Sequence, residues 1–194
     1  MARKYGVRDG ERWFVYVGGF NPHKHVDVIV RAHAAAIRDT GSPARLLLVG
    51  TQDSDVFHGA GSRIADAISE CGTHDLVEWT GFVPDDELRH LLSGAIALLL
   101  PSESEGFGLP AIEAAACGTP VIATTASPLP QLLKDGGYFV KPGDEQAITR
   151  AMIALMTDES DRVARGTRAR ECAVRLSWGA AADVTLAALR EAAA

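Results

Sequence analysis

Two glutamates, Glu105 and Glu113, bracket the segment Gly106-Phe107-Gly108-Leu109-Pro110-Ala111-Ile112. An ionised carboxylate only accepts hydrogen bonds, so a pair of them suits a ligand rich in hydroxyls. Between them, Gly106 and Gly108 let a ligand approach the backbone closely. Pro110 suits the first turn of a helix, where its missing N–H costs nothing. A helix starting here presents unpaired amides and a partial positive charge, and so favours an anion, most simply a phosphate. The amides of Gly106, Phe107, Gly108 and Leu109 are the candidate phosphate contacts. Glu113, about one turn into that helix, leans back toward its start, so both carboxylates can face one crevice. Two lone glutamates would more often be solvated surface charges; the glycines and Pro110 favour a site, and the combination suits a sugar nucleotide.

A second loop contributes the cation. Gly18-Gly19 closes an apolar run, and Phe20-Asn21-Pro22-His23-Lys24-His25 follows. Lys24 is the one full cation of that loop and can meet a diphosphate as a point charge. The usual fate of a lysine is a solvated loop; the glycine pair, which brings the backbone close, tips the reading toward a ligand contact.

The elements that must position these loops alternate. Strands are expected at 13–17, 44–50, 76–80, 95–100, 120–123 and 137–140. Helices are expected at 26–40, around 64–72, at 84–92, from Pro110 to near Gly118, and at 144–157, 159–175 and 178–193. Alternation of this kind predicts an α/β, Rossmann-like doubly wound parallel sheet of about six strands with helices on both faces. In the order 3-2-1-4-5-6 the first and fourth strands meet at the switch point, where ligands bind beyond the carboxyl ends. The loops there are 18–25 and 101–109, so topology and motif choose one crevice. Gly50, with Thr51, ends the second strand and is expected to border the nucleotide.

The block from Glu105 to Glu113, continued by Cys117-Gly118-Thr119-Pro120-Val121-Ile122-Ala123, resembles the retaining GT-B glycosyltransferases of the group 1 kind. The resemblance runs from Val15 to the last helix and covers the C-terminal half of a two-domain GT-B fold. It implies a donor-binding domain over 13–194 and a linker remnant over 1–12, with the N-terminal acceptor domain absent. The implied reaction transfers a hexose from a nucleotide-diphosphate sugar, UDP- or GDP-linked, in glycan or lipopolysaccharide synthesis, with retention and without metal. Lys24 and Glu105 would be the catalytic pair, Lys24 on the leaving diphosphate and Glu105 on the reacting sugar. Glu113 would bind ribose hydroxyls, and Gly18 and Gly19 would border the phosphates. Gly81-Phe82-Val83-Pro84 resembles the segment whose backbone meets the base. Where the family usually has an arginine, just after the glycine or just before the lysine, this chain has Gly19 and His23. Gln131 stands where the family often has a glutamate. Trp178 resembles the start of the C-terminal helix. The isolated domain is expected to bind donor without transferring sugar. Membrane contact would come only peripherally, through the absent domain.

Composition bounds the remaining classes. The chain has 194 residues, 47% of them hydrophobic, and a net charge of −6. This length buries a substantial core without staples, and the charge argues against a nucleic-acid binder. No run is long enough to span a membrane, and the first residues lack the apolar core of a signal peptide. Cys71, Cys117 and Cys172 show no CxxC spacing, which points to a reducing, cytoplasmic setting. His33, His58, His74 and His90 show no metal-ligand spacing. Three alternatives share parts of the pattern. A non-catalytic nucleotide or sugar-phosphate binding module would use the same site. A dehydrogenase-like domain lacks its GxGxxG after the first strand. A glycosidase would use Glu105 and Glu113 as acid and base, and the phosphate-type loop between them speaks against it.

Overall fold

The structure, a computed structural model, describes residues 2–51 and 58–193, with side chains of 58–60 excluded, so the His58 side chain lies outside the described residues. Among the described residues six strands form one parallel sheet: β1 (Trp13–Val17), β2 (Arg45–Val49), β3 (Val77–Gly81), β4 (Leu98–Leu100), β5 (Val121–Thr124) and β6 (Gly137–Val140). Their spatial order is β3-β2-β1-β4-β5-β6, as the alternation predicts. Strands covered on both faces read as unbroken apolar runs, and Leu46, Leu47, Leu48, Leu98 and Leu99 are all fully buried.

Among the described residues eight α-helices connect and flank the sheet: α1 (Val26–Thr40), α2 (His58–Cys71), α3 (Asp85–Gly94), α4 (Leu109–Ala116), α5 (Leu129–Leu132), α6 (Glu145–Thr157), α7 (Glu159–Ala173) and α8 (Trp178–Ala192). Helix α1 packs against α2 and α6, and α4 packs against α3 and α7. The approach of α7 is close: a Cβ on Gly166 would lie 2.2 Å from the Gly118 carbonyl oxygen. Asp144, Asp158 and Ser177 cap α6, α7 and α8 by accepting from backbone amides, the usual service of short polar side chains at helix starts.

Several local details depart from the pattern-based expectation. Strand β4 covers only 98–100, although the preceding residues already pair with β1: Ile96 N–H donates to Trp13 (2.7 Å) and Val15 N–H to Ala97 (3.1 Å). Pro110 takes the second position of α4, since Leu109 is the first. The four-residue α5 was not expected, being too short to show a period. The lead-in is docked rather than free: Tyr5 and Val7 are buried in the main core, and the Tyr5 hydroxyl and Lys4 both donate to Glu87 on α3. Helix α8 has no buried residue, and Trp178 is 81% exposed.

Candidate functional site

The sheet brings the carboxyl ends of β1 and β4 together, and the loops leaving them carry the candidate residues. The first loop is fixed at each step. Gly18 N–H donates to the Val49 carbonyl (3.0 Å) at the end of β2. Its own carbonyl lies against Gly50, where a Cβ would sit 2.2 Å from the Gly18 oxygen; only glycine fits that approach. The Phe20 ring turns inward, 5.8 Å from the Tyr16 ring and 4.8 Å from Trp79. The Tyr16 hydroxyl donates to the Gly19 carbonyl. Pro22–Lys24 form a 3-10 turn, and His25, at φ +53°, redirects the chain into α1.

The second loop is stitched to its neighbours. Glu103 N–H donates to the His23 carbonyl (2.7 Å), and Glu105 N–H to the Ala126 carbonyl (3.2 Å) in the loop after β5. These contacts place Lys24 Nζ 2.7 Å from Glu105 Oε1, although 81 residues separate the two. Both side chains are largely sheltered, at 19% and 13% exposure. The His25 Nε2 stands 3.7 Å from the Glu103 carboxylate, so a second loop-to-loop side-chain contact lies beside the ion pair. His23, exposed, makes its contact through its carbonyl.

Helix α4 begins beside this pair. Gly108 caps it at φ +75°, and a Cβ there would meet Leu129 at 2.7 Å, so glycine is required twice over. The amides of Gly106, Phe107, Gly108 and Leu109 have no hydrogen-bond partner among the described residues. Four free donors at a helix start, next to a lysine, form an anion cradle. Phe107 and Leu109 are 42% and 44% exposed around it.

Glu113 lies on the exposed side of α4. Burial by its surroundings raises its pKa, and the charge of Asp85 raises it further. Asp85 opens α3 directly after Gly81-Phe82-Val83-Pro84, so the charge that Glu113 senses stands at the end of the segment that leaves β3. Within that segment Phe82 is 72% exposed while Val83 is buried; Val83 therefore offers a ligand only its backbone. Gly50 joins β2 to the same rim, donating its N–H to the Gly81 carbonyl (3.1 Å).

Other residues singled out by the sequence stand as follows. Ser127 donates to the Thr124 carbonyl (2.9 Å) and accepts from Leu129 N–H, which shapes the turn into α5. Gln131 is exposed. His33 is fully buried, with Nε2 on the Ala44 carbonyl (2.9 Å), and burial lowers its pKa to about 4. His74 and His90 are exposed.

Sequence reasoning missed three buried polar groups near the ends of β1 and β4. Tyr16 reads as one more residue of an apolar strand, and its bond to Gly19 leaves no mark in the sequence. The hydroxyl of Ser102, fully buried after β4, and the buried Oδ1 of Asn21 have no hydrogen-bond partner among the described residues. An ordered water is the usual partner of such groups.

Known proteins resemble this chain in sequence and fold. Residues 1–172 match the family model described as glycosyl transferases group 1. A D-inositol 3-phosphate glycosyltransferase of Nocardia farcinica is 35% identical over 186 residues, covering 92% of this chain and 40% of the relative. The structure of a sucrose-phosphate synthase from Thermosynechococcus elongatus superposes over the whole chain and 49% of its own, with TM-score 0.85 and 31% identity. The Anabaena protein HepE, solved with UDP and glucose, shares the fold at 20% identity and TM-score 0.74, over 85% of this chain and 44% of its own. The chain thus spans less than half the length of the curated relatives it matches.

Proposed function

The chain belongs to the glycosyl transferases of group 1, and from that premise we propose that it is the donor-binding domain of a retaining hexosyltransferase. The observation that carries this reading is the meeting of Lys24 and Glu105 at 2.7 Å beside the free amides that start α4. A nucleoside diphosphate laid across the crevice would set its phosphates on those amides and on Lys24. Its ribose hydroxyls would reach Glu113, and its base would lie along Gly81–Val83, the segment that leads into Asp85.

In the reaction, the bond between the anomeric carbon and the diphosphate oxygen breaks, and its electron pair leaves with the oxygen. Lys24 and the amides of Gly106 to Leu109 would stabilise that new charge, an oxyanion-hole role at a helix terminus. Glu105, accepting only, would hold hydroxyls of the donor sugar on its reacting face. The acceptor oxygen forms the new bond, and its proton would pass to the oxygen of the leaving diphosphate. No metal enters this reading, because lysine and helix terminus supply the positive charge. The acceptor would be held by a second domain, and orientation of the two substrates supplies much of the rate. Alone, the domain therefore binds donor without transferring sugar.

Thermal-shift titration with UDP, GDP, ADP and their sugar conjugates, with and without a chelator, tests the binding half. A ligand that binds the native state raises the midpoint with its concentration. No rise with any of them would refute the reading; a rise that the chelator abolishes would refute metal independence. Incubation with labelled nucleotide sugars and an acceptor panel tests the other half, and transfer at an ordinary enzyme rate by this chain alone would overturn it.

A further inference from the structure

We propose that Tyr16 is a positioning residue for the diphosphate: its hydroxyl pins the Gly19 carbonyl inward and so turns the first loop's amides toward the anion. This deepens the donor-site reading and rests on it.

The geometry is specific. Tyr16 is fully buried on β1, and its hydroxyl donates to the Gly19 carbonyl, three residues on. The peptide is planar and trans, so a carbonyl turned inward sends the following N–H, that of Phe20, the opposite way. The amides of Gly19 and Phe20 have no hydrogen-bond partner among the described residues. Gly19 itself is exposed at the crevice, while Phe20 anchors the loop in the core.

A latch is needed here for two reasons. Gly18 and Gly19 adopt more backbone conformations than other residues, so this stretch does not hold one peptide orientation by itself. The opposite orientation would put a carbonyl oxygen where a phosphate oxygen is expected, and Lys24 is the one full cation in the loop to offset it. Tyr16 is suited to the task, since it can only act as a latch while protonated. Burial, and then the charge of Glu105, push its pKa well above the ordinary phenol value. Its hydroxyl therefore remains a donor throughout the working pH range, and the nearby carboxylate that supports this is itself part of the site.

The experiment uses Tyr16→Phe in the full chain, which keeps the buried ring and removes one oxygen. Affinities are measured by calorimetry for UDP, GDP, ADP, inorganic pyrophosphate and the parent nucleosides. The expected result is about a five- to tenfold loss for the diphosphates and for pyrophosphate, the worth of one well-placed hydrogen bond, with the nucleosides within about twofold. A packing role alone would shift nucleosides and diphosphates together, and that result overturns the proposal. The Phe20 amide resonance in the unliganded variant is a second readout. A changed shift or broadening is expected, and an unchanged resonance overturns the latch. If the unsubstituted chain binds none of the diphosphates, the donor-site reading falls first and the proposal with it. If the unsubstituted chain binds them and Tyr16→Phe binds equally well, the proposal alone falls.

Discussion

Replacing Glu105 by Gln should tighten, not weaken, the binding of a nucleoside diphosphate. In the unliganded protein Lys24 already has an anionic partner: Glu105 Oε1 lies 2.7 Å from its Nζ, with 19% and 13% of the two side chains exposed. A diphosphate arriving at Lys24 must share the ammonium or displace the carboxylate, and it meets a like charge in doing so. A fully solvent-exposed ion pair would be worth about 0–1 kcal/mol, and this one is sheltered. At the effective dielectric of a protein surface, two unit charges about 4 Å apart interact by about 4 kcal/mol before desolvation is subtracted. A net penalty of about 1–2 kcal/mol is then reasonable for a charge-assisted bond. Its removal corresponds to about five- to thirtyfold tighter binding. Gln retains the volume and an acceptor for Lys24, so the loops stay linked. Calorimetric titration with UDP, GDP and ADP at low and physiological salt reads the effect, which should shrink as screening rises. The sugar conjugates should gain less, because Glu105 is proposed to hold their hydroxyls. Weaker diphosphate binding by the Gln variant would refute the argument and recast Glu105 as the group that positions Lys24.

The remaining predictions concern three side chains. Lys24→Ala should cost the diphosphates more than the nucleosides and flatten the salt dependence of binding, whereas equal losses for both ligands would count against a phosphate contact. Glu113→Ala should weaken nucleoside and diphosphate alike while leaving the thermal midpoint nearly unchanged. Because burial, and then Asp85, raise the pKa of Glu113, its ionised, hydroxyl-accepting form is lost earlier than usual as pH falls, so affinity should decline with acidification in the unsubstituted chain and not in Glu113→Ala. His33 governs acid stability: its pKa falls from 6.5 to about 4 through desolvation, against the opposing bond to Ala44. The unfolded chain takes up that proton first, so stability should fall as pH drops through this window, by about 3 kcal/mol in all, and denaturant melts of His33→Leu should lack that slope.

What the sequence disclosed and what it withheld divide along physical lines. Sheet order was legible because every strand but β5 is followed by a helical period, and right-handed crossovers leave few arrangements. The crevice was legible for the same reason: topology names the ends of β1 and β4, whichever residues occupy them. The ion pair between Lys24 and Glu105 was not, since its formation depends on Glu103 meeting His23 and Glu105 meeting Ala126 through backbone bonds, which carry no side-chain signature. The docking of residues 2–12 was hidden by their charges, because Tyr5 and Val7 are isolated apolar residues in a polar stretch and show no period. Tyr16 was hidden more deeply. A tyrosine on a buried strand is expected from β preference alone, and neither the direction of its hydroxyl nor the identity of a backbone acceptor is encoded in spacing. The position nonetheless follows from a constraint. Gly50 presses on the Gly18 carbonyl, Phe20 is locked between Tyr16 and Trp79, and the Gly19 carbonyl between these anchors needs a buried donor if it is turned inward. A buried carbonyl without a partner would cost about 1–3 kcal/mol; the phenol at position 16 removes that cost on the side of the loop away from the ligand.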